Sequence, residues 1–290
     1  MDIIIAVNSK YIDICKCMIH SLLRTNKDER MTFHLLNSTL SDNEIENISS
    51  FIRKYHADIR LYHVDDSLFR NIDFGPYSIE IFYRILAYKI LPDDIHRALW
   101  LDSDIIVRKS LLHFYYQDFE HMSIVACPGG NRYSKNHFTN QLKHKLGLDS
   151  DYIYFNSGVI LFNFDKIRSN VDGERIREII EQYSDKWIFP DQDILNILYA
   201  GDVKYNDNSI YNFQTLQIGD TDITDVAILH YAGTRKPWDP MTACPIARYY
   251  WKEQILMRNY ADVIKFCVSL PKAVGVRAYR RVVRKLEAVH

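Results

Sequence analysis

In Arg97-Ala98-Leu99-Trp100-Leu101-Asp102-Ser103-Asp104-Ile105-Ile106-Val107 an apolar run climbs into two carboxylates one residue apart and then resumes. Strands covered on both faces read as short continuous hydrophobic runs, so Ala98 to Leu101 is expected to be a central strand. Asp102 and Asp104 then stand at its carboxyl end, where open α/β sheets place their ligands. Two carboxylates so close repel each other unless something neutralises them. A hard divalent cation, Mn²⁺ or Mg²⁺, sharing its shell with phosphate oxygens would do so. The plain alternative is an Asx-type turn, which an isolated Asp-x-Asp favours. The rest of the chain tips the balance the other way.

Toward the N-terminus, Ser78 to Ile90 reads as one apolar helix stopped by Leu91-Pro92, with Arg84 its odd member. A guanidinium there either snorkels along the helix flank or points at an anion just ahead of the Asp-x-Asp strand. Further back, Ile3–Val7, Thr32–Leu36 and Ile59–Val64 read as strands, with Leu61 expected to face the core. A helix from about Tyr11 to Arg24 separates the first two. A second separates the others, opened by a Ser41/Glu44 capping box and carrying Ile45, Ile48, Phe51 and Ile52 on one face. This alternation predicts right-handed crossovers and parallel pairing.

Toward the C-terminus, Ser123–Cys127 is a further strand running into Pro128-Gly129-Gly130. Asn131 to Asp151 then reads as a polar, basic loop or short helices over the site. Phe155-Asn156-Ser157-Gly158-Val159-Ile160-Leu161-Phe162-Asn163 is a strand with a small, polar entry, where Asn156 can hydrogen-bond a ligand hydroxyl. Glu174–Trp187 is an amphipathic helix. Phe189-Pro190-Asp191-Gln192-Asp193 opens another over Ile194–Tyr199, where the plain alternative for Asp191 is an N-cap. Gln192 has no capping duty, which marks it out. Val226–Leu229 is a strand ending in His230-Tyr231-Ala232-Gly233-Thr234-Arg235-Lys236-Pro237-Trp238. That segment joins a common metal ligand, a close turn and a point charge suited to phosphate.

Composition bounds the rest. At 290 residues, 47% hydrophobic and 25% charged, the chain suits one large α/β domain, or one domain with an appendage. A net charge of −1 disfavours a nucleic-acid partner, so any polyanion surface must be local. Five cysteines, odd in number and without Cys-x-x-Cys, fit neither a disulfide scaffold nor a zinc site and suit a reducing compartment. Met1 to Val7 carries no basic leader and is expected to be a strand rather than a signal peptide. The expected location is therefore cytoplasmic.

Leu101-Asp102-Ser103-Asp104, Phe155-Asn156-Ser157-Gly158-Val159, Asp191-Gln192-Asp193-Ile194-Leu195-Asn196 and His230 to Trp238 together resemble family 8 retaining glycosyltransferases, the family of glycogenin and of lipooligosaccharide galactosyltransferases. The resemblance covers roughly residues 1–240. It implies a GT-A fold, an α/β domain over 1–244 with a mostly parallel mixed central sheet flanked by helices; from Pro245 the chain itself reads as helical, an extension over 245–290. It also implies Mn²⁺ (or Mg²⁺) bridging the diphosphate of UDP-galactose or UDP-glucose, and a saccharide or glycolipid acceptor. By the same resemblance Asp102, Asp104 and His230 are metal ligands, and Gly233 and Lys236 cradle the diphosphate. Ala6, Asn8, Tyr11, Arg84, Ser103 and Asn156 bind the donor, while Asp191 and Gln192 lie at the reacting centre. The galactosyltransferases have Asp where Asn8 stands; an Asn oxygen still accepts from uracil N–H. They also place an acidic residue in the turn that here reads Cys127-Pro128-Gly129, and they are longer between Tyr205 and His230. An amide such as Gln192 is a poor nucleophile, which favours front-face attack by the acceptor hydroxyl over double displacement.

The last segment, Ala273 to Leu286, interleaves Arg277, Arg280, Arg281, Arg284 and Lys285 with apolar residues. A basic amphipathic helix of this kind suits an anionic membrane surface or, equally, a solvated helix on the domain. The first option would make the protein peripheral at the inner face of the cytoplasmic membrane. Three other functions share parts of the pattern. They are a nucleotidyltransferase, which has no need of the His230–Trp238 segment, a catalytically silent UDP-sugar binder, and a self-glycosylating primer drawing on some of the 20 tyrosines.

Overall fold

In the computed structural model, ten strands alternate with helices among the described residues. The structure describes every residue except 71, 74, 76, 130–136, 216–221, 243–245 and 288–290, with backbone alone at 137–139 and 278–287. Contacts fall into two units, Met1–His230 and Tyr231–His290.

The first unit is built on β1 (Asp2–Ala6), β2 (Thr32–Asn37), β3 (Asp58–His63), β4 (Arg97–Leu101), β5 (Ile105–Val107), β6 (Ile124–Pro128), β7 (Phe155–Asn163), β8 (Val203–Tyr205), β9 (Phe213–Gln214) and β10 (Ile228–His230). Seven of them form one sheet in the order β3-β2-β1-β4-β7-β6-β8, with β4 at its centre as expected. Pairs β1·β2, β2·β3, β1·β4 and β6·β8 are parallel, whereas β7 runs antiparallel to both β4 and β6. The sheet is mixed and mostly parallel.

Burial explains why its strands read as unbroken apolar runs. Ile3, Ile5, Leu99, Leu101, Val159 and Leu161 enter one core, against the helices Ile12–Thr25 and Asp42–Lys54. The alternate residues Ile4, Ala98, Trp100, Ile160 and Phe162 enter a second core, on the face covered by helices Tyr83–Ile90, Gly173–Tyr183 and Pro190–Leu198. The Ser41/Glu44 capping box opens Asp42–Lys54 as its sequence predicts.

Two expectations need correction. Leu61 does not face the core: it is 52% exposed, because β3 is an edge strand. Ser78–Ile90 is not one helix but a 3-10 turn, Ile79–Phe82, followed by the α-helix Tyr83–Ile90. The 131–151 stretch, read as a loop or short helices, does contain a helix, His137–Lys145, while 131–136 lies outside the described residues.

A small second sheet, β5-β10-β9, continues from the central strand. The chain leaves β4 at Leu101, turns through Asp102-Ser103-Asp104 and enters β5, which pairs antiparallel with β10 so that His230 stands opposite Ile105. On the other side Leu101 faces Val159, and the Asp102 N–H donates to the Gly158 carbonyl at 2.9 Å. Between Ala126 and Cys127 the β6·β7 register slips from Ile160 to Asn156, which releases Ser157, Gly158 and Val159 from β6.

The second unit is helical, with Ala247–Leu256 and one long helix, Tyr260–Glu287, that contains Pro271. Trp251 ties it together, donating to the Pro237 carbonyl at 3.0 Å and stacking on Phe266. No described helix is long and apolar enough to cross a membrane. The expected boundary at 244/245 falls among residues outside the description.

Candidate active site

Three strands deliver one cluster. One ligand atom each from Asp102, Asp104 and His230 lies within 4.8 Å of the others. His230 Nε2 stands 3.3 Å from Asp104 Oδ1 and 3.8 Å from Asp102 Oδ2. Gly158 closes against them, and a Cβ at that position would meet His230 Cε1 at 2.3 Å.

The other Asp102 oxygen is already held. Oδ1 accepts from Trp100 Nε1 at 2.8 Å and pairs with Arg84 Nη2 at 2.9 Å. Arg84 is 5% exposed and does not snorkel. Its guanidinium lies over the Trp100 ring, donates to the Ser157 carbonyl at 2.6 Å and reaches Asp191 Oδ2 at 3.4 Å. Burial raises the Asp191 carboxyl above its ordinary range, against the pull of Arg84, and Asp102 pushes it the same way.

Asp191 is not the N-cap. Pro190 takes the first helical position after Phe189, and Asp193 satisfies the helix entry, its Oδ2 accepting from the N–H groups of Ile188 and Phe189 at 2.7 and 3.0 Å. Asp193 is fully buried and also accepts the Tyr154 hydroxyl; burial pushes its pKa up to about 6. This frees Asp191 to accept from Ser157 Oγ at 2.9 Å and to face Arg84. Gln192 Oε1 accepts from Asn156 Nδ2 at 2.8 Å and from the Ser157 N–H at 3.1 Å. Asn156 is joined in turn to Asn212, and Asn212 to His230 Nδ1 at 2.8 Å.

The donor set is two carboxylates and an imidazole, beside a third carboxylate, Asp191, and one guanidinium. Three acids facing one permanent cation leave a surplus of negative charge, and oxygen-rich sites of this kind suit Mn²⁺ or Mg²⁺. The residues fit a divalent cation. Chemically the site can hold an anion-bound metal and present an amide and buried carboxylates beside it.

The family profile described as glycosyl transferase family 8 matches residues 2–242. The chain belongs to that family. It is 26% identical over 252 residues to a lipopolysaccharide 1,2-glucosyltransferase of Escherichia coli, covering 80% of this chain and 71% of the relative. It is 20% identical over 262 residues to a lipopolysaccharide 1,3-galactosyltransferase of Salmonella typhimurium, covering 86% and 76%. Among solved structures, the galactosyltransferase LgtC in complex with donor and acceptor sugar analogues aligns with a TM-score of 0.74 at 26% identity, covering 87% of this chain and 95% of that one. An active-site mutant of LgtC gives 0.77 at 25% identity, with the same coverage. The fold of this family 8 chain is GT-A, and its activity is that of a glycosyltransferase.

Within this glycosyltransferase the structure brings together Asp102, Asp104, His230, Arg84, Asn156, Asp191 and Gln192. Ala6 ends β1, which pairs parallel with β4 through Ile4↔Trp100; two residues on, it lies level with Asp102. Asn8 caps the 3-10 turn Ser9–Tyr11, its Oδ1 accepting from Lys10 N–H and its Nδ2 donating to Ser78 Oγ, each at 3.0 Å. The Ser103 side chain hydrogen-bonds the buried Cys15 thiol on the helix Ile12–Thr25. Gly233 and Lys236 belong to the second unit. Gly233 has φ +84°, a left-handed conformation suited to glycine, and Lys236 Nζ donates to the Tyr231 carbonyl at 2.9 Å.

Sequence reading missed Trp100, Ser157 and Asn212. Trp100 and Ser157 were visible inside quoted motifs but read as core and turn. Asn212 carries no local signal.

Proposed function

We propose that this glycosyltransferase transfers galactose or glucose from a UDP-sugar, with retention, to a saccharide acceptor of the lipopolysaccharide or lipooligosaccharide type, using Mn²⁺. The Asp102/Asp104/His230 cluster beside Gln192 carries the proposal. Its relatives named for lipopolysaccharide transfer support the acceptor class.

Bound at that cluster, a divalent cation would supply Lewis-acid stabilisation of charge developing on the departing diphosphate. The chain supplies the rest. Trp100 and Arg84 orient Asp102 by occupying Oδ1, so that Oδ2 points toward His230. Arg84 also holds Asp191 and the Ser157 carbonyl, so one guanidinium ties the metal-binding turn to the β7 entry and to the helix Pro190–Leu198. Both lone pairs of Gln192 Oε1 are taken by Asn156 and the Ser157 N–H. An amide oxygen so engaged is a still weaker nucleophile. Asp191 is similarly occupied by Ser157 and Arg84. Both observations support front-face attack, with the leaving phosphate oxygen taking the acceptor proton. Gln192 then serves to stabilise positive charge at the anomeric centre.

The helix Tyr260–Glu287 exposes Tyr260, Ile264, Val268 and Val274; the side chains of Arg280, Arg281, Arg284 and Lys285 lie outside the described residues. Apolar and basic residues interleaved on one helix support peripheral binding to the cytoplasmic face of an anionic membrane, where a lipid-linked acceptor would be met. Removing residues after 270 should release the protein from anionic vesicles and spare donor hydrolysis; unchanged vesicle binding would refute the membrane role.

The deciding experiment is UDP release by the purified protein with Mn²⁺ across a panel of UDP-sugars, without acceptor. Slow hydrolysis of one sugar, abolished by EDTA, names the donor. Failure to bind UDP in the presence of Mn²⁺ would overturn the proposal.

A further inference from the structure

Two peptide N–H groups of β7, which can only donate, orient a chain of four side chains. The Gly158 N–H donates to Asn156 Oδ1 at 3.1 Å, so the oxygen of that amide faces Gly158 and its NH₂ group faces Gln192. The Ser157 N–H likewise fixes Gln192 Oε1 as an acceptor. The group that Asn212 turns toward Asn156 Oδ1, at 2.9 Å, must then be its NH₂. Its own oxygen is left facing His230 Nδ1 at 2.8 Å, which requires the imidazole proton on Nδ1. The Nε2 lone pair of the neutral ring is thereby presented toward Asp102 and Asp104.

We infer that Asn212, 1% exposed and placed just before β9, is a positioning residue that sets the His230 tautomer for metal binding and links that ligand through Asn156 to Gln192. The role rests on the metal reading proposed above. Placing the acceptor for the ligand histidine and the donor for the Gln192 partner on one amide couples metal loading to the geometry of the reacting centre. An aspartate of the same shape keeps the first function and destroys the second. Its oxygen still accepts from His230 Nδ1–H, but the other oxygen meets Asn156 Oδ1, acceptor against acceptor.

The test is Mn²⁺ binding, followed by loss of the free-ion EPR signal with saturating UDP, alongside steady-state UDP release, without acceptor, from the UDP-sugar that the wild-type protein hydrolyses. Asn212→Ala should weaken Mn²⁺ binding by about 10- to 100-fold, the usual effect of losing a hydrogen-bond partner of a ligand histidine. Asn212→Asp should hold Mn²⁺ within about three-fold of wild type, or more tightly, while kcat falls by about ten-fold or more at nearly unchanged donor KM. Mn²⁺ binding by Asn212→Ala within about two-fold of wild type would overturn the role. So would wild-type kcat in Asn212→Asp, or Mn²⁺ loss in it equal to that of the alanine variant. Should Asn212→Ala fail to fold by circular dichroism, the aspartate variant decides alone. Wild-type protein that binds UDP but no Mn²⁺ would remove the metal reading, and this role with it; wild-type binding with unaltered variants removes only the role.

Discussion

Gly158 and His230 are packed so closely that a methyl group on the Gly158 Cα would stand 2.3 Å from His230 Cε1 and 2.8 Å from Asp102 Oδ2. No side chain fits there without moving a metal-ligand candidate. The glycine is thus required by contact, on a stretch of β7 that the register slip releases from β6 but that still pairs with the β4 side. Gly158→Ala should leave the fold intact, at a cost of about 1–3 kcal/mol. Its divalent-cation half-saturation should rise by on the order of ten-fold or more, as expected when a ligand's surroundings shift. Titrating activity with Mn²⁺ checks this; an unchanged half-saturation would show that the ligands relax around the methyl group.

Arg84 offsets two partly or wholly buried carboxylates, Asp102 and Asp191. Removing one partner of such a set leaves uncompensated charge, which costs about 3–5 kcal/mol. Arg84→Ala should lose stability of that order in urea unfolding with EDTA and regain part of it with Mn²⁺, since a bound cation neutralises the same carboxylates. Equal losses with and without Mn²⁺ would argue against a cation at the cluster.

Gln192→Ala should lower kcat by on the order of 10²-fold, comparable to the loss of other preorganised electrostatic groups, with a much smaller change in donor KM. Near-normal turnover at saturating donor would remove Gln192 from the reacting centre.

Asp193 carries a pH signature. Its folded pKa, about 6, lies above the ordinary 3.8 because burial penalises the anion. Between those values the folded protein holds more protons than the unfolded chain, so stability falls as pH rises from about 4 to about 6 and levels off above. The effect is at most about 3 kcal/mol. Asp191 is raised in the same direction. In Asp193→Asn much of that slope should disappear from denaturant unfolding curves measured across the window; an unaltered slope would place the proton elsewhere.

What was legible in the sequence was local in origin. Unbroken apolar runs marked the strands covered on both faces, Ser41 and Glu44 marked a helix start, and Asp102-Ser103-Asp104 marked the end of the central strand, each through residues within one or two turns of chain. The two-sided core obeys the same period, with Ile3 and Ile5 on one face and Ile4 on the other. Tertiary structure alone decided the rest. Leu61 is as apolar as its neighbours, yet β3 lies at the sheet edge, so it meets solvent. Asp191 and Asp193 are equivalent by sequence as helix-entry acids; Arg84 and Tyr154, brought from other elements, assign one to the cluster and the other to the cap. His230 reaches Asp104 because β10 pairs with β5 in one register, and Asn212 reaches His230 because β9 lies alongside. Strand register and sheet order are set by hydrogen bonds between distant segments. They leave no period in the sequence from which partners can be read.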